Sequence, residues 1–310
     1  MRELFRHPLA APSAASVNRR RFVLAGFGAA LPPWLAAQTP AVAESPPVAT
    51  EAEVPYVQTP PLLVRRMLQL AEVKRNDLLW DLGSGDGRIV IAAAKQFGAR
   101  AVGYEIDPML IRESRKLARL AGVANRTQFL ERDLFTLNFA EPSVVTLYLL
   151  PEFNLKLRPL LLQQMRPGSR VVSHEWDMGD WRADETLLFP SPQKPHGTKK
   201  EHTVLLWVIP AKVAGRWQLT LGGADRSKSR TLTLTQHFQR VSATLEDSEV
   251  LWTQLRGTEL SMAIRRGAAV ELLRGAVTDA QWTGQIEKLG QWGNSSGELI
   301  GKFSARRLAQ

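Results

Sequence analysis

The chain has 310 residues, a formal net charge of +10 and no cysteine. Its length accommodates two domains, and the lack of thiols excludes disulfides, cysteine-ligated zinc and cysteine nucleophiles. Residues 1–43 hold five arginines and one acid, a surplus of +4 that leaves +6 for the rest. No run of Lys/Arg interleaved with aromatics accompanies it, which argues against a nucleic-acid partner.

At the N-terminus, Asn18-Arg19-Arg20-Arg21-Phe22-Val23-Leu24 resembles a twin-arginine export signal. The apolar segment that follows, Phe22 to Ala37, is interrupted by Gly26, Gly28, Pro32 and Pro33 and is too short to span a bilayer well. Ala41-Val42-Ala43 offers a small-x-small cleavage site. Residues 1–43 are therefore expected to be a signal peptide and 44–54 a linker, placing the mature chain in the periplasm. A basic N-terminus or an uncleaved membrane anchor on a cytoplasmic protein are the alternatives.

Between 55 and 210 helical and strand patterns alternate. Helical periodicity runs over Leu62–Ala71 behind Pro60-Pro61. An apolar strand ends at Asp81, and a helix follows Gly87. A second strand ends at Glu105, and Pro108 opens a helix through Leu120 that Gly122 terminates. Strands follow near Thr127–Glu131 and at Val144–Tyr148. A helix begins near Pro151 and is stopped by Pro167-Gly168. Strands are then expected at Arg170–His174 and, last, Thr203–Val208. Such alternation predicts an α/β fold, a Rossmann-like sheet with helices on both faces. Ligands of such sheets sit beyond the carboxyl ends of the strands, where Asp81, Glu105, Asp133, Tyr148 and His174 all fall.

The most telling stretch is Asp81-Leu82-Gly83-Ser84-Gly85-Asp86-Gly87-Arg88. Three glycines at a strand-to-helix turn let the backbone approach a ligand closely. Glu105 lies 20 residues after Gly85, the spacing at which a carboxylate reaches a nucleotide ribose. The turn runs G-x-G-x-G with acids at 81 and 86, and carboxylates beside a pyrophosphate would repel it. No Gly-Lys-Ser/Thr follows, which excludes a Walker loop. The acids suit an adenosine cofactor that carries an amino group and a sulfonium charge.

These residues, with Glu105-Ile106-Asp107-Pro108 and Glu131-Arg132-Asp133-Leu134-Phe135, resemble the class I S-adenosylmethionine-dependent methyltransferases. The resemblance implies S-adenosyl-L-methionine as cofactor, with Asp81, Gly83, Ser84 and Gly85 on its methionine part. Glu105 and Ile106 fall to its ribose, and Asp133 and Leu134 to its adenine. Three further stretches narrow the resemblance: Tyr56-Val57-Gln58-Thr59-Pro60, Leu147–Leu157 with Pro151-Glu152-Phe153-Asn154, and Ser173–Trp181 with His174-Glu175-Trp176. They are similar to the protein-lysine N-methyltransferase family that includes the mitochondrial enzymes acting on lysines of membrane proteins such as those of the ATP synthase. A protein substrate with an accessible lysine, of the envelope or a membrane, is what this implies.

A lysine acceptor has an unperturbed pKa of about 10.4 and must lose a proton before it attacks. Tyr56, Tyr148, Glu152, His174 and Glu175 are the candidates for aiming or deprotonating it. The Asn/Asp-Pro-Pro-Tyr/Phe motif of nucleobase amino-methyltransferases is absent, since Leu149-Leu150-Pro151-Glu152 stands in its place. An exported binding protein that retains the fold without catalysis, and a small-molecule or lipid methyltransferase, remain open. No metal is expected, because His7, His174, His196, His202 and His237 form no H-x-x-x-H pair.

From 211 to 310 the pattern becomes an apolar/polar alternation: Ala214–Leu221, Thr231–Leu234, Leu260–Ile264, Val270–Leu273 and Gly297–Phe303. Glycines at 222–223, 257, 267, 275, 284, 290, 293 and 297 read as turns between short strands. This predicts a small antiparallel β-barrel, similar to lipocalin-like up-and-down barrels.

Overall fold

The computed structural model describes residues 57–191, 194, 200–222, 228–290 and 297–309. The export signal, its cleavage site, the linker and Tyr56 lie outside the described residues.

Four helices and seven strands form the first layer system. Helix α1 (Pro61–Leu70) starts on a proline pair and buries Leu63, Val64, Met67 and Leu68 on one stripe. Strand β1 (Leu78–Leu82) leads through the glycine turn into α2 (Arg88–Phe97). After β2 (Arg100–Glu105), helix α3 (Pro108–Leu120) is capped by Asp107, whose side chain accepts from Met109 N at 2.7 Å. Strands β3 (Thr127–Glu131) and β4 (Val144–Leu147) precede α4 (Pro151–Gln164). Strands β5 (Arg170–His174), β6 (Glu185–Pro190) and β7 (Glu201–Val208) complete the sheet.

The order is β3-β2-β1-β4-β5-β7-β6. The first five strands are parallel, and β7 runs antiparallel between β5 and β6. The order reverses between β1 and β4, which places the topological switch point at Asp81 and Tyr148. One core holds α1, α2 and α3 against one face of the sheet. The other packs Leu157 and Leu161 of α4 with Trp80, Trp181 and Trp207 on the opposite face. Helices thus cover both faces, as the alternation predicts.

Two departures are informative. Strand β6 is absent from the sequence pattern; it is an edge strand with only Leu187 and Phe189 turned toward the core, and Pro190 ends it. Helix α4 ends at Gln164, before the expected stop at Pro167, and carries Pro159 within it.

The second layer system is an eight-stranded antiparallel sheet. Its strands are β8 (Gly215–Leu221), β9 (Ser229–His237), β10 (Arg240–Leu245), β11 (Glu249–Arg256), β12 (Glu259–Arg266), β13 (Ala269–Val277), β14 (Gln281–Leu289) and β15 (Glu298–Arg307). The order β10-β9-β8-β15-β14-β13-β12-β11 is an up-and-down meander. Its free edges nearly close, with Thr253 Oγ1 of β11 donating to Val241 O of β10. Trp217, Trp282, Met262, Leu273 and Phe303 fill the interior, the usual state of a barrel this narrow.

Two glycines expected at turns lie inside strands instead. Gly275 of β13 pairs with Gly284 of β14. A Cβ on Gly275 would sit 2.0 Å from Thr283 O, so the strands approach closer than any side chain permits. Gly257 and Gly267, with φ of 59° and 60°, do occupy turns.

Candidate active site

The glycine turn is shaped by left-handed backbone at Gly83 (φ 73°), Gly85 (φ 53°) and Gly87 (φ 76°). Gly83 N and Ser84 N both donate to Tyr104 O at 2.9 Å, tying the turn to β2. A Cβ at Gly83 would meet Leu149 Cδ2 at 2.9 Å, and one at Gly87 would meet Phe129 Cε1 at 2.5 Å. Ser84 Oγ is buried without a hydrogen-bond partner among the described residues. Asp86 has a local role: Arg88 donates to its carboxylate through Nη2 at 2.6 Å and Nε at 2.9 Å, and Arg88 N caps on it at 3.2 Å. Its charge is thereby answered inside the turn.

Asp81 is buried at the end of β1 and accepts from Thr146 Oγ1 at 2.6 Å. Burial pushes its carboxyl up to about 7; the Thr146 bond opposes this, and the acids Glu105 and Asp86 add to it. Glu105 holds the next strand end. Its Oε2 accepts from Gly85 N at 2.8 Å, and its Oε1 accepts from Ile106 N at 2.8 Å and Asp107 N at 3.1 Å. Ile106 beside it is 70% exposed. Asp133 follows β3 and caps a 3-10 turn, Leu134–Thr136, by accepting from Phe135 N at 2.9 Å. Arg132 N donates to Glu105 O at 3.2 Å, joining these two strand ends.

Across the switch point lies a second group. The Tyr148 ring stands on the His174 ring, centroids 3.9 Å apart. His174 is fully buried; its Nδ1 is 3.1 Å from Thr59 Oγ1, and its Nε2 is 3.0 Å from His202 Nδ1. Glu175 Oε1 gathers Lys194 Nζ at 2.7 Å, His202 Nδ1 at 2.8 Å and His174 Nε2 at 3.3 Å. A carboxylate only accepts, so the ring nitrogens that bond Glu175 do so as donors. Burial pushes Glu175 up, but the donors from His174, Lys194 and His202 outweigh it and hold the carboxyl at about 2. Burial lowers His174, against the pull of Glu175, so its ring is neutral at pH 7. His174, Glu175 and His202 lie close enough together to converge on a metal ion, and Lys194 Nζ shares the same Glu175 oxygen.

A model of the ANTKMT methyltransferase domain matches residues 81–185. A protein-lysine N-methyltransferase of Saccharolobus islandicus (strain REY15A) is 42% identical over 157 residues, covering 50% of this chain and 94% of that protein. The chain belongs to the ANTKMT methyltransferase family. This methyltransferase is also 35% identical over 166 residues to an ATP synthase lysine N-methyltransferase of Rattus norvegicus, covering 53% of this chain and 74% of that one. Among solved structures, an RNA methyltransferase from Salinibacter ruber in complex with S-adenosyl-L-homocysteine is 46% identical, covering 56% of this chain and 100% of that one, at a TM-score of 0.46.

The ANTKMT-family chain is thus an S-adenosyl-L-methionine-dependent methyltransferase. Its donor set fits that cofactor. The turn excludes side chains, and a buried acid that meets two other acids is suited to a cationic ligand. The sequence-predicted residues fall into separate groups. Asp81, Gly83, Ser84, Gly85, Glu105, Ile106, Asp133 and Leu134 line three adjacent strand ends. Tyr148 and His174 meet across β4 and β5, with Glu175 directly behind. Glu152 is exposed in the first turn of α4.

Sequence reasoning misses Thr59, Thr146, Lys194 and His202. His202 is the second residue of β7, and because β7 is antiparallel to β5, its start lies where the parallel strands end. The strand is legible in the sequence, but its direction is not, and direction alone brings His202 to the site. Thr59 belongs to a stretch the sequence singles out, beside Tyr56.

Proposed function

We propose that this methyltransferase transfers the methyl group of S-adenosyl-L-methionine to a lysine side chain of a protein substrate. The observation that carries this reading is the pairing of Tyr148 with buried His174 beside the switch point, in a chain whose relatives are named lysine methyltransferases. The cofactor, when bound, supplies an electrophilic methyl on sulfur. The residues proposed to hold it are Asp81, with Gly83, Ser84 and Gly85, on the methionine side; Glu105 and Ile106 at the ribose; and Asp133 and Leu134 at the adenine.

The acceptor residues divide by exposure. His174 is fully buried behind Tyr148, which is half-exposed. Tyr148 is therefore the group that meets the amine. Burial and the nearby Glu175 raise its phenol above the ordinary 10, so it stays protonated and acts as a hydrogen-bonding guide, not as a base. His174 fixes the ring from behind. The amine sheds its proton to solvent on entering the site, and alignment with the donor supplies the rate. Incubating the protein with isotope-labelled S-adenosyl-L-methionine and envelope or cytosolic extracts, then mapping labelled residues by mass spectrometry, tests this reading. Label confined to residues other than lysine would overturn it.

We infer from Arg19-Arg20-Arg21 and the apolar segment behind them that the chain is exported to the periplasm in folded form. Among the described residues no helix is long and apolar enough to cross a membrane. N-terminal sequencing of the mature protein tests export; an intact Met1 or Arg2 start on a cytoplasmic protein overturns it.

A further inference from the structure

We propose that the β9–β10 hairpin of the C-terminal barrel is a positioning element for the acceptor side of the active site, acting through the segment Trp176–Trp181. This rests on the proposed acceptor role of Tyr148 and His174.

The segment leaves β5 directly after His174 and Glu175, and Glu175 itself takes a left-handed φ of 70°. It is then gripped from two sides. From α4, the buried Asn154 Nδ2 donates to Trp176 O at 3.1 Å and Asp177 O at 3.3 Å. One turn further along α4, Arg158 Nη1 donates to Met178 O at 2.7 Å and pairs with Asp180. Gly179, with φ 66°, allows the close pass; a Cβ there would meet Leu155 Cδ2 at 2.9 Å.

The other side is the barrel. Phe238, at the tip of the β9–β10 hairpin with φ 55°, stacks on Trp181 with centroids 6.0 Å apart and planes inclined by 28°. The Arg158 guanidinium lies 5.6 Å over the same Phe238 ring, so the residue that grips the segment is itself covered by the hairpin. Gln239 Nε2 donates to Arg182 O at 2.6 Å. Phe238 packs into the methyltransferase core that holds Leu157, Leu161 and Trp207, and not into the barrel's own core. Trp207 Nε1 completes the anchorage by donating to Trp181 O at 2.7 Å.

The cofactor-side residues stand at the ends of β1, β2 and β3, whereas the segment follows β5, two strands away from β1 in the sheet. The hairpin's direct contacts, with Trp181, Arg158 and Arg182, all fall in the half where the acceptor residues stand. Trp176, 41% exposed at the start of the segment, is the side chain whose placement the brace would set for an incoming substrate.

The test uses the full chain with Phe238→Ala and Gln239→Ala combined. Three quantities are read: hydrogen exchange of the 176–181 amides, S-adenosyl-L-homocysteine affinity by calorimetry, and methyl transfer to poly-L-lysine. The expected result is tenfold or faster exchange at 176–181, cofactor affinity within twofold of wild type, and a raised KM for poly-L-lysine. Phe238→Tyr, which keeps the stacked ring, should restore all three. Unchanged exchange at 176–181 in the folded variant would overturn the proposal, as would a loss of cofactor affinity in step with faster exchange. If the double variant fails to fold, Gln239→Ala alone, which removes one bond to Arg182 O, is read by the same criteria. A wild type that leaves poly-L-lysine unmodified counts against the lysine reading alone, because exchange and cofactor affinity still decide the brace.

Discussion

Thr146 Oγ1 of β4 donates to Asp81 Oδ1 of β1 at 2.6 Å, across the point where the strand order of the parallel sheet reverses. This bond opposes the burial that, with Glu105 and Asp86 nearby, pushes the acid up to about 7. Near neutral pH the unliganded protein therefore holds a population with Asp81 protonated. A ligand with an ammonium and a sulfonium favours the ionised form. Binding of S-adenosyl-L-methionine should release a proton between about pH 5 and 7, and below pH 7 affinity should weaken by about tenfold per unit. Calorimetry in two buffers of different ionisation enthalpy measures the proton directly. An affinity that is flat from pH 5.5 to 8.5 would show that Asp81 does not meet the cationic part of the cofactor.

The same acid creates a conflict between stability and function. Its folded pKa lies above its unfolded value, so between about pH 4 and 7 the folded state holds more protons than the unfolded state. Stability contributed by the protonated carboxyl is lost as pH rises through 7. Asp81→Asn keeps an oxygen for Thr146 and removes the buried charge. Unliganded Asp81→Asn should be more stable than wild type at pH 8, by about 1–2 kcal/mol. Cofactor binding should weaken by about 1.5–3 kcal/mol, the worth of a charged hydrogen bond. Paired thermal melts at pH 5 and 8 check the first part: the gain should shrink at pH 5.

The cofactor half of the site can be read from sequence because its residues are consecutive. Asp81 to Gly87 form one turn, and Glu105 and Asp133 each end a strand whose apolar run marks it. The acceptor half resists because it is assembled from distant segments. Thr59 reaches His174 across 115 positions, and His202 reaches it across 28. Asp86 reads as a cofactor-facing acid in sequence, yet Arg88, two residues away, answers its charge. In the barrel, Arg240–Leu245, Glu249–Arg256 and Gln281–Leu289 escape notice because they turn few apolar side chains inward. Gly275 and Gly284 read as turns because a glycine that permits strands to touch and one that permits a reversal look alike in sequence.

Glu175 offers a test of the acceptor half that needs no substrate. Its folded carboxyl is held at about 2, below its ordinary 4.5, because His174, Lys194 and His202 outweigh the effect of burial. The stability this contributes is present above about pH 4.5 and fades as pH falls toward 2. Glu175→Gln leaves the Lys194 ammonium facing a neutral amide. It should cost about 1–3 kcal/mol at pH 7, and the difference from wild type should close as pH falls below 4. Denaturant melts at pH 7, 4 and 3 measure it. A penalty that persists undiminished at pH 3 would mean that shape, not charge, makes Glu175 matter.

Gly275 and Gly267 separate two reasons for a glycine within the same barrel. Gly275 sits opposite Gly284, where an added Cβ would lie 2.0 Å from Thr283 O, a backbone atom that cannot swing aside. Gly267 has open space around it but a φ of 60°. Gly267→Ala should therefore cost only the left-handed backbone penalty, about 1–2 kcal/mol. Gly275→Ala must push two strands apart along β13 and β14, and overpacking of this kind costs about 1–3 kcal/mol or more. The two differ most clearly in where the damage appears. Exchange in Gly275→Ala should rise across β13 and β14, while in Gly267→Ala it should rise only at the turn between β12 and β13. In both, S-adenosyl-L-homocysteine affinity of the folded protein should match wild type, since the glycine turn at Gly83–Gly87 belongs to the other sheet.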